Sequence, residues 1–142
     1  MTEPEVRTGG PERVTSLSRA SCVKLLEQER LGRVAFNDWD GPQVLPVSYV
    51  YWNGSIVFRT SDHGILAGLS RRSNAAFEID GIDASAGTAW SVVVRGASQE
   101  VINTYELSQV WTNPDLVPLA AGHRPLVIAI EPRTITGREL TF

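Results

Sequence analysis

The dipeptide Asn53-Gly54 is the strongest local constraint on this chain. Both residue types tolerate the positive φ angles that a two-residue type I′ turn needs at its central positions. The runs on either side, residues 47–52 and 56–60, are rich in the β-branched and aromatic residues that favour strands. They are therefore predicted to form an antiparallel hairpin. Pro46 cannot donate a ladder hydrogen bond, so the first strand is expected to lie at an edge, carry a bulge or begin there.

The rest of the chain reads as short strands with few helices. Further strands are predicted within residues 32–36, 75–80, 90–102, 126–130 and 134–140. Short helices are predicted over residues 19–30, capped by Ser18 and stopped by Gly32, over residues 64–70, and from Asn103 to about Trp111. Strands and helices do not alternate regularly, which argues against a doubly wound parallel sheet. We therefore expect a mainly β, antiparallel barrel with peripheral helices.

Length and composition predict one folded domain. The chain has 142 residues, of which 42% are hydrophobic and 20% charged, as in ordinary globular proteins. Residues 1–16 mix Pro, Gly, Glu and Arg without periodicity and are predicted to be a mobile tail. Residues 17–142 are predicted to form the single domain.

Several classes of function are disfavoured. A net charge of −3 offers no general attraction for a nucleic acid, and no apolar run approaches the roughly 20 residues that span a bilayer. With no signal peptide, a cytoplasmic location is expected. The single cysteine, Cys22, is predicted to be a core residue, and His63 and His123 lack the spacing of a metal site. Nucleophile-elbow, dinucleotide-binding and P-loop motifs are also missing.

Two short motifs are candidates for ligand binding. Arg59, Thr60 and Ser61 end a predicted strand, where a guanidinium and two hydroxyls could bind a phosphate. Their alternative interpretation is a solvated strand end. Trp90, followed by Ser91, could stack on a planar ligand, or could be an aromatic of the core or an interface.

Six segments in a fixed order carry a family resemblance. They are Leu31-Gly32-Arg33-Val34-Ala35-Phe36, Pro46-Val47-Ser48-Tyr49, Ile56-Val57-Phe58-Arg59-Thr60, Ala76-Phe77-Glu78-Ile79-Asp80, Trp90-Ser91-Val92-Val93-Val94-Arg95-Gly96 and Ile135-Thr136-Gly137-Arg138. Together they resemble the flavin-binding split-barrel superfamily named for pyridoxamine 5′-phosphate oxidase, in particular its short actinobacterial-type members.

The resemblance implies a split β-barrel that acts as a homodimer, with two FMN sites at the subunit interface. It places the FMN phosphate on Arg59, Thr60 and Ser61 and the flavin ring along Val47 and Ser48. Trp90 and Ser91 would be supplied by the partner subunit.

One position departs from the family pattern. Many relatives carry a Gly-x-Lys-Leu sequence after the Arg-Thr strand end, and Ile65 stands here where that lysine would lie. The loss of one cation predicts weak FMN binding, exchange of FMN for a deazaflavin coenzyme, or no cofactor. Arg71, Arg72 and His63 are candidates to replace the missing charge.

The leading functional hypothesis is a flavin- or deazaflavin-dependent oxidoreductase. It would pass a hydride between the ring and a small organic acceptor, with a nicotinamide or deazaflavin electron donor. No catalytic residue is assigned, because the cofactor carries the redox chemistry in such enzymes. The alternatives are a non-enzymatic protein of the same fold that binds or senses flavin or haem, and a ligand-free barrel that serves as an interaction module.

Overall fold

The computed structural model describes residues 13–116 and 124–142, most of which belong to one antiparallel sheet. In chain order the elements are β1 (Arg13–Ser16), α1 (Arg19–Gln28), β2 (Leu31–Asp38), β3 (Gly41–Ser48), β4 (Val50–Trp52), β5 (Ser55–Thr60), a 3-10 helix (Ile65–Ser70), β6 (Asn74–Asp83), β7 (Thr88–Glu100), α2 (Thr104–Trp111) and β8 (Leu126–Thr141). Neighbouring strands follow the order β3-β2-β6-β7-β8-β5-β4, and β1 pairs with the carboxyl end of β8. The sheet curls into a split barrel, so the predicted fold class is confirmed.

The hairpin turn forms where it was predicted. Asn53 has φ 53° and Gly54 has φ 79°, and Trp52 pairs with Ser55 across the turn. The hairpin is shorter than expected, because Val47 and Ser48 belong to β3 and pair with β2 instead. Within the described sheet β3 is an edge strand, which accommodates Pro46 as expected.

The segment predicted to be a mobile tail, residues 1–16, includes four residues that form a strand. Arg13–Ser16 form β1, antiparallel to residues 138–141 of β8. All four residues are exposed, so the strand is held mainly by backbone pairing, which composition does not reveal. Residues 1–12 lie outside the described residues.

The helix starts are confirmed, whereas one predicted stop is wrong. Ser18 Oγ accepts a hydrogen bond from Ser21 N at 3.1 Å, and Asn103 Oδ1 accepts one from Glu106 N at 3.0 Å. The first helix ends at Gln28, before Gly32, which lies in β2. That glycine is needed for packing, because a Cβ there would overlap the ring of Phe77.

Two predicted interruptions of the sheet are smaller than expected. Residues 81–89, which separate two of the predicted strands, mostly extend β6 and β7, so only residues 84–87 lie between these strands. Pro132 lies inside the continuous strand β8, where the pairing register with β7 shifts between Arg95 and Gly96. The strand therefore continues past Pro132 by forming a β-bulge.

The main core fills the inside of the curled sheet and contains the predicted core residue Cys22. Tyr49 and Phe77 meet edge to face with ring centroids 4.6 Å apart, and Leu26 of α1 is fully buried beside them. Burial raises the pKa of the Cys22 thiol, an effect partly opposed by Arg19, so the thiol is protonated at neutral pH.

A second cluster attaches α2 to the outer side of the sheet. It joins Val110 of the helix to Val57 of β5 and Val127 of β8, with Val50, Leu116 and Ala129 around them. This packing fixes the end of α2 beside the carboxyl end of β5.

Replacing Tyr49 with phenylalanine is expected to lower the free energy of unfolding by about 1 to 2 kcal/mol. The buried Tyr49 hydroxyl donates to the Leu26 carbonyl at 2.7 Å, which satisfies an acceptor in the last turn of α1. Urea denaturation measures the change. Tyr105→Phe is the matched control, because Tyr105 is 71% exposed, and equal stability losses in the two variants would contradict the role of the buried hydrogen bond.

Candidate functional site

A cavity of about 270 Å³ lies where the two ends of the curled sheet approach each other. The carboxyl end of β3 forms one wall, and the end of β5 with the start of the 3-10 helix forms the other. Its lining residues are Leu45, Pro46, Val47, Ser48, Arg59, Thr60, Ser61, Gly64, Ile65, Leu66 and Arg124. The structure therefore brings together five of the seven predicted site residues, Val47, Ser48, Arg59, Thr60 and Ser61.

Arg59 is held by two groups that come from other parts of the chain. Its guanidinium carbon lies 3.8 Å from the ring centroid of Trp111, and its Nε donates to the Arg124 carbonyl at 3.4 Å. Because alternate residues of a strand share a face, Arg59 lies on the same side of β5 as Val57, against which α2 packs. Burial lowers the pKa of Arg59 from its ordinary value. An arginine nevertheless stays charged in proteins, so Arg59 brings a cation to the cavity.

Trp111 is a site-associated residue that sequence reasoning did not identify. The sequence places it only at the end of a predicted helix, and its partner Arg59 lies in a distant strand. A cation over an aromatic ring is stabilised by the ring's quadrupole. The contact therefore restrains the guanidinium beside the cavity.

Replacing Trp111 with leucine is expected to weaken binding of a phosphate-bearing ligand about two- to fivefold, because Arg59 must then be ordered when the ligand binds. Fluorescence titration with FMN measures the change. Trp39→Leu is the control, since Trp39 is 94% exposed and does not line the cavity. Unchanged FMN affinity in Trp111→Leu would show that the stacking does not prepare Arg59 for binding.

The two hydroxyl residues of the motif are buried in the wall of the cavity. Thr60 is 7% exposed and Ser61 is 6% exposed. A Cβ on Gly64 would lie 3.0 Å from Ser61 Oγ, so glycine leaves this hydroxyl uncrowded. A guanidinium with adjacent hydroxyls suits the oxygens of a phosphate group. The alternative interpretation of this motif was a strand end exposed to solvent. Thr60 and Ser61 are buried, so that interpretation does not apply to them.

The residues proposed to replace the missing lysine charge do not line the cavity, although Ile65 itself does. Ile65 lines the cavity, 49% exposed, whereas His63 Nδ1 lies 2.9 Å from an oxygen of Asp62 and neither residue of that pair lines it. Arg71 and Arg72 are also absent from the lining, while Arg124 contributes to it. Among the described residues that line the cavity there are two arginines and no Asp or Glu.

Trp90 and Ser91 lie outside this cavity. The Trp90 indole covers Gly81 of the neighbouring strand, where a Cβ would lie 2.7 Å from Trp90 Nε1, and the ring packs against the main core. Ser91 lines a separate depression with Val93 and Arg138. Their assignment to the partner subunit's site stays a prediction.

Residues 13–116 and 124–142 contain no group of three or more His, Cys, Asp and Glu side chains placed to hold a metal ion. His123 lies outside the described residues. Within the same ranges no helix has both the length and the apolarity required to cross a membrane.

The chain belongs to the family whose model is described as Pyridoxamine 5′-phosphate oxidase, which matches residues 18–139. It is 30% identical over 143 residues to the uncharacterized protein Rv0080 of Mycobacterium tuberculosis, and the alignment covers 94% of this chain and 92% of that protein. Membership confirms the resemblance found in the sequence. It does not specify a substrate, because one fold hosts many functions.

Two solved structures from Mycobacterium smegmatis are similar to the chain. The FAD binding protein has a TM-score of 0.76 at 28% identity, covering 90% of this chain and 99% of that chain. The FAD and heme binding protein has a TM-score of 0.70 at 16% identity, covering 89% and 73%, and this second similarity is one of fold alone.

Proposed function

We propose that the protein is a flavin-dependent oxidoreductase that acts on a small organic molecule. The observation that carries the proposal is a cavity lined by Arg59, by the buried residues Thr60 and Ser61, and by the apolar wall of Leu45, Pro46 and Val47. The cation and hydroxyl residues suit a phosphorylated tail, and the apolar wall suits a flat ring. The relative from M. smegmatis that binds FAD supports a flavin as that ligand.

Each part of the cavity has a distinct task in this proposal. Arg59, Thr60 and Ser61 bind the phosphate, and Val47 and Ser48 lie along the ring. A bound flavin supplies hydride transfer, with a nicotinamide or deazaflavin as electron donor. The chain's residues would hold and orient the ligand and exclude water from the cavity. FMN is the proposed form, and a deazaflavin coenzyme is the alternative.

A second copy of the chain is proposed to complete the site. Ligand sites usually enclose about 300 to 1,000 Å³ and bury most of the ligand. The cavity of one chain, about 270 Å³, falls below that range. In a homodimer, Trp90 and Ser91 of each chain would close the partner's cavity, as the family resemblance implies.

Binding without catalysis is the second candidate. No Asp, Glu, His, Cys, Lys or Tyr is found among the described lining residues, so the cavity of one chain has no ordinary proton-transfer group. A flavin carrier or sensor needs no such group, so this lining also suits binding without turnover.

Spectroscopy and turnover tests separate the candidates. The purified protein is titrated with FMN, FAD, riboflavin and a deazaflavin, and the loaded protein is then mixed with reduced nicotinamide. Flavin binding together with accelerated nicotinamide oxidation supports the oxidoreductase, whereas tight binding without turnover supports the carrier. A protein that changes neither the absorbance nor the fluorescence of any of these compounds contradicts flavin binding altogether.

A further inference from the structure

We propose that Arg124 is the second phosphate-binding cation of the cavity and makes it selective for phosphorylated flavins over unphosphorylated ones. The inference rests on the proposed flavin-binding function and assigns a residue that lies outside the sequence motif. It also answers how the cavity can hold a doubly charged phosphate when Ile65 occupies the lysine position.

The backbone places Arg124 beside the phosphate motif. Arg124 precedes β8 by two residues, and the first residue of that strand, Leu126, pairs with Thr60 of β5. The Arg124 carbonyl accepts the hydrogen bond from Arg59 Nε at 3.4 Å. The start of β8 therefore carries a second arginine to the wall where β5 ends.

The charge balance of the cavity favours a dianion. The chain as a whole carries −3, yet the described residues that line the cavity contribute two cations and no carboxylate. Arg59 and Arg124 are both partly buried, and charges in partly dry surroundings interact more strongly than charges in bulk water. Two guanidinium groups carry two positive charges, and a phosphomonoester carries about −1.5 to −2 at neutral pH.

The other candidates for the second cation are placed less favourably. Arg71, Arg72 and His63 do not line the cavity, and the His63 ring lies beside the Asp62 carboxylate. A guanidinium also offers two parallel donors to phosphate oxygens, whereas a lysine offers a point charge. Arg124 is thus the lining residue able to take over the task of the missing lysine.

Arg124→Gln is expected to weaken binding of FMN about tenfold while leaving riboflavin affinity unchanged. This substitution keeps the backbone carbonyl that Arg59 contacts, so the position of Arg59 is preserved. Isothermal titration with FMN, FAD and riboflavin measures the three affinities. Arg72→Gln is the matched control, because Arg72 is exposed and does not line the cavity.

A second substitution tests whether the charge itself is responsible. Ile65→Lys introduces a cation into the lining and is expected to recover most of the lost FMN affinity in the Arg124→Gln background. Added to the wild-type chain, it is expected to tighten FMN binding by a smaller factor, because Arg124 already neutralises the second charge. Comparison of FMN with FAD shows whether the two arginines bind a terminal phosphate or a diphosphate.

The outcomes distinguish the inference from the function on which it rests. If wild-type protein binds FMN and Arg124→Gln binds it equally well at an unchanged melting temperature, Arg124 is not the second cation although the flavin proposal stands. Equal weakening of FMN and riboflavin would also overturn the inference, since the effect would not depend on phosphate. If wild-type protein binds none of the three flavins, the proposed function itself fails.

Discussion

Replacing Arg59 with alanine is expected to weaken FMN binding by about 2 kcal/mol, roughly 30-fold in the dissociation constant. Arg59 combines a partly buried guanidinium with a stacking partner, Trp111, at 3.8 Å, so it is both poorly screened and already oriented. Its removal takes one positive charge from the wall that also contains Thr60 and Ser61. Titration of FMN followed by flavin fluorescence measures the loss.

Arg72→Ala provides the comparison for this variant, because it removes an equal charge from an exposed position outside the cavity. Its FMN affinity is expected to match the wild type. Riboflavin lacks the phosphate, so its affinity should be nearly the same in Arg59→Ala and wild-type protein. An Arg59→Ala protein that binds FMN as tightly as the wild type would refute the phosphate assignment.

Mixing Arg59→Ala subunits with Trp90→Leu subunits is expected to restore FMN binding that each variant lacks alone. If every site takes Arg59 from one chain and Trp90 from the other, the mixed dimer has one doubly defective site and one intact site. Random pairing should then give intact sites at about a quarter of the total, since half of the dimers are mixed. Bound FMN per subunit is measured after co-expression, at a concentration near the wild-type dissociation constant.

The complementation has a control in which recovery is impossible. Arg59→Ala and Arg124→Gln both alter the wall supplied by a single chain, so their mixed dimer contains no intact site. Leucine is chosen at Trp90 because that ring packs over Gly81 and against the core, and an apolar replacement limits the loss of stability. If the Trp90→Leu mixture recovers no more FMN than the control, Trp90 serves packing within its own chain and does not belong to the partner's site.

The features of this fold that the sequence predicts well depend on interactions between near neighbours. The turn at Asn53-Gly54 follows from the φ preferences of two adjacent residues. The caps at Ser18 and Asn103 each join a side chain to an amide three residues away. Interactions of this kind join residues that are close in the sequence, so they can be predicted without knowing the tertiary structure.

The predictions that failed required knowledge of a distant partner. Strand β1 has four exposed residues and forms because the end of β8 is available to pair with it. Gly32 reads as a helix stop, yet its role is to make room for Phe77, a residue far along the chain. The pattern of neighbouring residues in the sequence does not show which distant residue will contact either segment.

For the candidate site, the motif of one arginine and two hydroxyl residues at a strand end can be predicted from the sequence, because those residues are consecutive. The structure was needed to show that Val47, Ser48 and Arg124 line the same cavity as that motif and that Trp111 stacks on Arg59. These contacts arise from the closure of the sheet. Curling the strands brings the ends of β3, β5 and α2 and the start of β8 to one place, and no spacing along the chain encodes that meeting.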